Sequence, residues 1–329
     1  MAFLNKISNI GDSTISSLIQ DNMIEHFDWG FMDAGGFVNV EIPTSGLYGG
    51  DKHKLRLVDD PRYTDGQVWE GFRSNWIWQS GFSGATQPLT TTHQKYPGVS
   101  GVFVDGAFYP TSGVGTYSHH IDYPNGRVVF DSAIPTTSEV TAEFSYKWVK
   151  FTRASSSFFR EIQYRSQRAD GDFTLSGSGD WSQLGETRLQ LPAVGVEVVK
   201  DRDFQPYALG GLTHYVKTDV LFHVLAENDY DRDKILDIIS FQEEVGIEMF
   251  DSDRIGRNEA FPLDYRGMVN NNAKIHTELI KPSGEGGYKY DGVGGGQMII
   301  RDSRVSISDE ISPNLYHGVV RLNAEVIKY

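Results

Sequence analysis

The chain reads as an α+β, β-rich protein: an antiparallel sheet with flanking helices, plus an inserted β-sandwich-like module. Three observations predict this. Residues 102–149 hold two turn signals, Asp105-Gly106 and Asn125-Gly126, set between short β-branched and aromatic runs, the local signature of hairpins. Within that stretch Val140, Ala142, Phe144, Tyr146 and Trp148 alternate with Thr141, Glu143, Ser145 and Lys147, the period of a half-buried strand. Finally, residues 217–249 read as strand, capped helix and strand in succession.

Composition bounds the rest. A chain of 329 residues suits about two domains, and 39% hydrophobic with 12% aromatic residues is ample for packed cores. The 35 glycines fit a loop-rich β protein. A net charge of −14 opposes gripping a phosphate backbone, so no specific nucleic-acid binding is expected, although an acidic wall suits a conduit through which DNA slides. There is no cysteine, which removes disulfides and thiol chemistry. No run of about 18–20 apolar residues occurs, so no membrane span is expected.

In order, Ile15, Leu18, Ile19, Met23 and Phe27 form a helical stripe, with Asp12 or Ser13 as N-cap and Asp28-Trp29-Gly30 as the stop. Residues 1–30 are therefore expected to pack on the α+β part. Strand alternation follows at Val38, Val40 and Ile42 and again at Leu55 and Leu57. Residues 58–84 carry Trp69, Trp76 and Trp78, which fill a core or a subunit interface, or else form a sugar platform. In 150–190, Arg153, Arg160, Arg165 and Arg168 interleave with Phe158, Phe159 and Tyr164. Nearby acids offset that charge, so the stretch reads as a solvated or interface face. Residues 31–190 together form the β-rich module.

From 191 onward the pattern is α+β. Val194, Val196 and Val198 make one strand, and residues 217–225 a second with apolar positions on both faces, as a central strand requires. Residues 228–231 (Asn-Asp-Tyr-Asp) cap a helix bearing Ile235, Ile238, Ile239 and Gln242. After a glycine-rich loop at 284–296, two strands finish the chain, the last with Val320, Leu322, Ala324 and Val326 on one face.

Motifs for chemistry are sparse. Asp229, Asp231, Asp233 and Asp237 hint at a calcium loop, but Lys234 and Ser240 stand where an EF-hand needs glycine and glutamate; helix capping explains them better. His119 and His120 are adjacent and point to opposite faces of a strand. No nucleotide-binding glycine motif, HExxH or GxSxG occurs, so no catalytic residue, cofactor or metal is assigned.

The block VFVDGAFYP…HIDYPNGRVVFDSAIPTTSEVTAEFSYKW resembles the V-x-V-(D/N)-G…Y-x-x-G-R-V-x-F…V-T-A-x-Y-S-Y pattern of virion structural proteins of tailed bacteriophages. Residues 218–239, TDVLFHVLAENDYDRDKILDII, look like the core of phage tail-terminator and neck proteins. The resemblance implies a non-enzymatic ring subunit, often hexameric, that joins the tail to the head connector in the virion and touches other tail or neck proteins. Candidate interface residues are Trp69, Trp76, Trp78, Phe158, Phe159, Asp231, Arg232, Tyr288 and Tyr290. Two alternatives stand beside it. One is a baseplate or appendage protein binding a receptor or glycan through the β module. The other is a carbohydrate-active enzyme with an unrecognised carboxylate pair.

Overall fold

A computed structural model describes residues 13–42, 52–79, 98–111, 113–166, 190–206, 214–254, 263–269, 294–312 and 315–327. Two seven-stranded sheets dominate, joined by one helix. That helix, α1 (Ile15–Asp33), is capped by Thr14, whose hydroxyl accepts from the Ser17 N–H.

The β module comprises β1 (Phe37–Val40), β2 (Lys54–Leu57), β3 (Val68–Glu70), β4 (Gly101–Val104), β5 (Ala107–Pro110), β6 (His119–Asp122), β7 (Arg127–Phe130), β8 (Val140–Ala142) and β9 (Phe144–Lys147). Its sheet runs β5-β4-β8-β2-β3-β7-β6, and β1 pairs with β9 alone. Strand β2 pairs with β8 through Lys54 and Leu55, then with β3 through Arg56 and Leu57. It therefore folds the sheet into two leaves around a shared core of Trp69, Trp76, Val102, Val128, Phe130, Val140 and Phe144. The predicted Asp105-Gly106 hairpin joins β4 to β5, with both residues at positive φ, the conformation a two-residue type I′ turn demands.

The second sheet contains β10 (Lys150–Arg153), β11 (Ala193–Val198), β12 (Asp203–Pro206), β13 (His214–Ala226), β14 (Gly246–Phe250), β15 (Gly294–Ser312) and β16 (Leu315–Ile327). The order is β10-β11-β13-β16-β15-β14, with β12 also on β13. Strand β13 is central, as its two apolar faces predict: Val220, Phe222 and Val224 are fully buried on one side and Leu225 on the other. Helix α3 (Asp229–Ser240) lies over it, seated where Gly318 of β16 leaves room for Leu236. Between β10 and β11 comes α2 (Ser157–Ser166), whose Phe159 and Ile162 are buried against Leu191, Ala193, Leu225 and Leu315.

Three sequence readings are corrected. Helix α1 does not stop at Gly30 but continues to Asp33. The added turn gains burial for Phe31 in the second sheet's core and for Met32 in the module's, which outweighs glycine's poor helix propensity of about 1 kcal/mol. Residues 150–166 do not belong with 31–190: β10 and α2 join the second sheet, because β10 pairs in parallel with β11. The stretch read as a solvated or interface face contains a helix whose Phe159 side is interior.

Helix α1 thus belongs to both cores. Leu18, Ile19, Met23, Phe27 and Phe31 face the second sheet, while Trp29 and Met32 enter the module. The buried Asn22 amide accepts from the Phe250 N–H at 3.0 Å and donates to the Phe250 carbonyl at 2.8 Å, fixing β14 to the helix.

Candidate assembly surface

The candidate interface residues divide sharply. Trp69, Trp76 and Trp78 are buried in the module's own core, at 4%, 1% and 6% exposure. Trp76 stacks on Phe144 at 4.2 Å and Trp78 packs edge-on against Trp29 at 6.3 Å. Their ring faces are consumed within the chain, so they offer no platform to a sugar or a partner. Phe159 is likewise interior, and Phe158 is half-buried beneath the Lys150 ammonium, 4.0 Å from its ring centre. Burial beside Lys147 and Arg73 lowers the Lys150 amine to about 8. Desolvation disfavours the charged form, and the two neighbouring cations add to the effect.

Asp231 and Arg232 sit at the start of α3. The Asn228 side chain accepts from the Asp231 N–H at 2.8 Å and donates to its carboxylate at 2.9 Å. This capping arrangement is the one the sequence favours over a calcium loop. Arg232 is nearly buried, paired with Asp233 at 2.7 Å and lying over the Tyr316 ring. Tyr288 and Tyr290 lie outside the described residues.

What the molecule presents outward is different. Strand β15 pairs with β14 only from Gly294 to Ile299. Beyond that, Arg301 to Ser312 pairs with β16 on its inner side, and among the described residues no strand covers its outer side. Val305 lies opposite Val320, and Ile307 opposite Gly318. Directly paired residues share a face, so both stand on the helix-covered face, beside α3. They are nonetheless 43% and 58% exposed. Two apolar side chains on a bare strand edge form the template that natural sheets ordinarily cover or charge. The ends of α3 add Tyr230 and Phe241, 71% and 79% exposed.

The sheet's other face carries a polar ladder across three strands. Glu325 binds Lys217 at 2.8 Å and Arg301 at 2.8 Å, and Asp219 accepts from Arg321 and Asn323. The bonded arginine and asparagine, outweighing its desolvation, hold Asp219 below the usual carboxylate range. At the far end of this face His223 and His317 stack at 5.9 Å, and burial lowers His317.

Two concavities gather ionisable groups. One, about 380 Å³, is lined by Arg56, Arg62, Arg127, Asp59, Asp60 and Glu70. There Arg56 meets Glu70 at 2.5 Å, while Arg62 and Arg127 both reach Asp60. The Arg62 hydrogen bond keeps Asp60 ionised far below its ordinary range. Equal numbers of cations and anions make this a self-neutralised network.

The other, about 170 Å³, lies between α1 and the module and includes Glu25, Asp28, Trp76, Gln79 and Lys147. Asp28 binds Lys147 at 2.5 Å and accepts from Gln79 at 3.3 Å. Glu25 accepts from the Trp29 indole at 3.0 Å, and burial, reinforced by Asp28, pushes its carboxyl up to about 7. Glu25 is thus a carboxyl placed to exchange a proton near neutrality.

Sequence reasoning chose aromatics by type and missed the β15 edge. Alternation reports which face a residue occupies and is silent about whether a strand has a neighbour. The available signal was the pair Val305 and Ile307 in an otherwise polar run, RDSRVSISDE.

Comparison with family models, with curated proteins and with solved structures returned no match to this chain. Among the described residues no helix is long and apolar enough to cross a membrane.

Proposed function

We propose that this protein is a structural subunit of a tailed-phage virion, of the neck or tail-terminator kind, and that it works by subunit–subunit burial. The observation that carries the reading is the outer edge of β15, which no strand covers among the described residues, with Val305 and Ile307 exposed upon it. An edge of this kind is satisfied by a strand or apolar surface from another chain. The hairpin pattern of residues 102–149 and the strand–cap–helix of 218–239 supply the virion context by resemblance. The two-core organisation fits the same role, because α1 couples an outward module to an assembling sheet. A net charge of −14 suits a subunit beside passing DNA.

A closed homo-oligomeric ring follows if the edge meets a different surface of the next copy with a rotation that closes. Size-exclusion chromatography with light scattering tests this. The native chain should elute as a discrete oligomer, and Ile307→Lys should shift it to monomer, with folding stability changed by no more than about 0.5 kcal/mol because the position is exposed. A native chain that stays monomeric at all concentrations, alone and with tail or neck partners, overturns the proposal.

A further inference from the structure

Beyond an assembly role, we propose that the β module carries a site for a neutral saccharide, formed by Tyr109, Tyr117 and the turn between them. The concavity there is about 290 Å³ and is lined by Tyr109, Pro110, Val114, Thr116, Tyr117 and Ser118, together with Gly113. That volume lies at the lower end for small-molecule sites, the scale of one or two sugar rings. Among the described residues no charged side chain lines it, in a protein of net charge −14 in which the concavities beside Asp60 and beside Glu25 hold ion pairs. A charged ligand would find no partner there, whereas an uncharged polyhydroxyl would meet no repulsion.

The aromatic geometry points the same way. The Tyr109 and Tyr117 rings are 4.3 Å apart and inclined by 41°. Both are half-buried, packed on the module's core from below. Among the described residues neither phenol hydroxyl has a hydrogen-bond partner, and both groups keep a wet edge. An amphipathic ring with an apolar body and a free hydroxyl is the group that stacks on the C–H face of a sugar while bonding its hydroxyls. The site is braced in advance. The Gly113 N–H donates to the Pro110 carbonyl at 2.8 Å, and the Ser118 N–H to the Gly115 carbonyl at 3.1 Å. Ser118 Oγ donates to Asp131, and His119 Nδ1 lies 2.9 Å from the Tyr117 carbonyl. Preformation of this kind lowers the entropic cost of binding. The three buried tryptophans cannot serve this purpose; the tyrosine pair lies on the surface and can.

Saturation-transfer NMR with methyl glucoside, methyl galactoside, methyl mannoside and N-acetylglucosamine at about millimolar concentration, together with an array of neutral oligosaccharides, tests the site. At least one sugar should bind the native chain. Tyr117→Ala should weaken it at least about tenfold. Val114→Asp should do the same, and since Val114 is 98% exposed that substitution leaves folding intact whatever happens to the tyrosine variant. A proline-rich peptide serves as the competing occupant. Binding of no saccharide, binding unaffected by Val114→Asp, or binding of the peptide in place of every sugar overturns the inference.

Discussion

Glu25 shows how one buried carboxyl couples this fold to pH. In the unfolded chain it titrates near 4.5 and in the folded one near 7. The folded state therefore binds the extra proton between those values. Its stabilising contribution is complete below 4.5 and is lost as pH rises through 7. Thermal melts of the native chain and of Glu25→Gln, which keeps an acceptor for the Trp29 indole, should diverge between about pH 5 and about pH 8. The variant should lose less stability over that interval, and parallel curves would remove Glu25 from the account. Gly66 is the backbone counterpart. It holds φ +92°, and an added Cβ would meet the Ile134 carbonyl oxygen at 2.1 Å. Its own carbonyl accepts from the Trp69 indole and the Ile134 N–H. Gly66→Ala should cost about 2 kcal/mol or more in denaturant unfolding, and a cost below about 0.5 kcal/mol would show that the turn relaxes freely.

At the scale of elements, α3 is the piece whose cause is simplest to isolate. Asn228→Ala removes the acceptor for the Asp231 N–H and should cost about 1 kcal/mol in unfolding free energy; a neutral result would mean that packing of Ile235, Leu236 and Ile239 alone sets the helix start. This helix, the central strand β13 and the Asp105-Gly106 hairpin were legible because each is specified by local chemistry: a cap, an apolar strand with two buried faces, a turn with two positive φ angles. The extension of α1 past Gly30 was not, because Trp29, Phe31 and Met32 make helical sense only once two separate cores exist to receive them. Helix α2 was hidden by its arginines. The Phe159 and Ile162 pair that buries it is too short a stripe to outweigh them. The tryptophans of residues 58–84 read equally as core or as interface, and the structure places them in the core. Large aromatic area is useful in either place, and composition does not say which.

For the whole molecule, α1 ties a two-leaved module to a sheet that α1 and α3 cover on one face and α2 covers in part on the other. The module buries its aromatics inward; in the second sheet, by contrast, β15 keeps β16 on its inner side after Ile300, and among the described residues no strand lies on its outer side. The proposed assembly role rests on that asymmetry, and the edge is its decisive feature. Amide hydrogen exchange on the native chain, at dilute and at concentrated protein, measures that edge directly. Within residues 302–312, the amides that point away from β16 should exchange quickly when dilute and become strongly protected when concentrated, with β13 unchanged; rapid exchange of those outward amides at every concentration would contradict assembly through this edge.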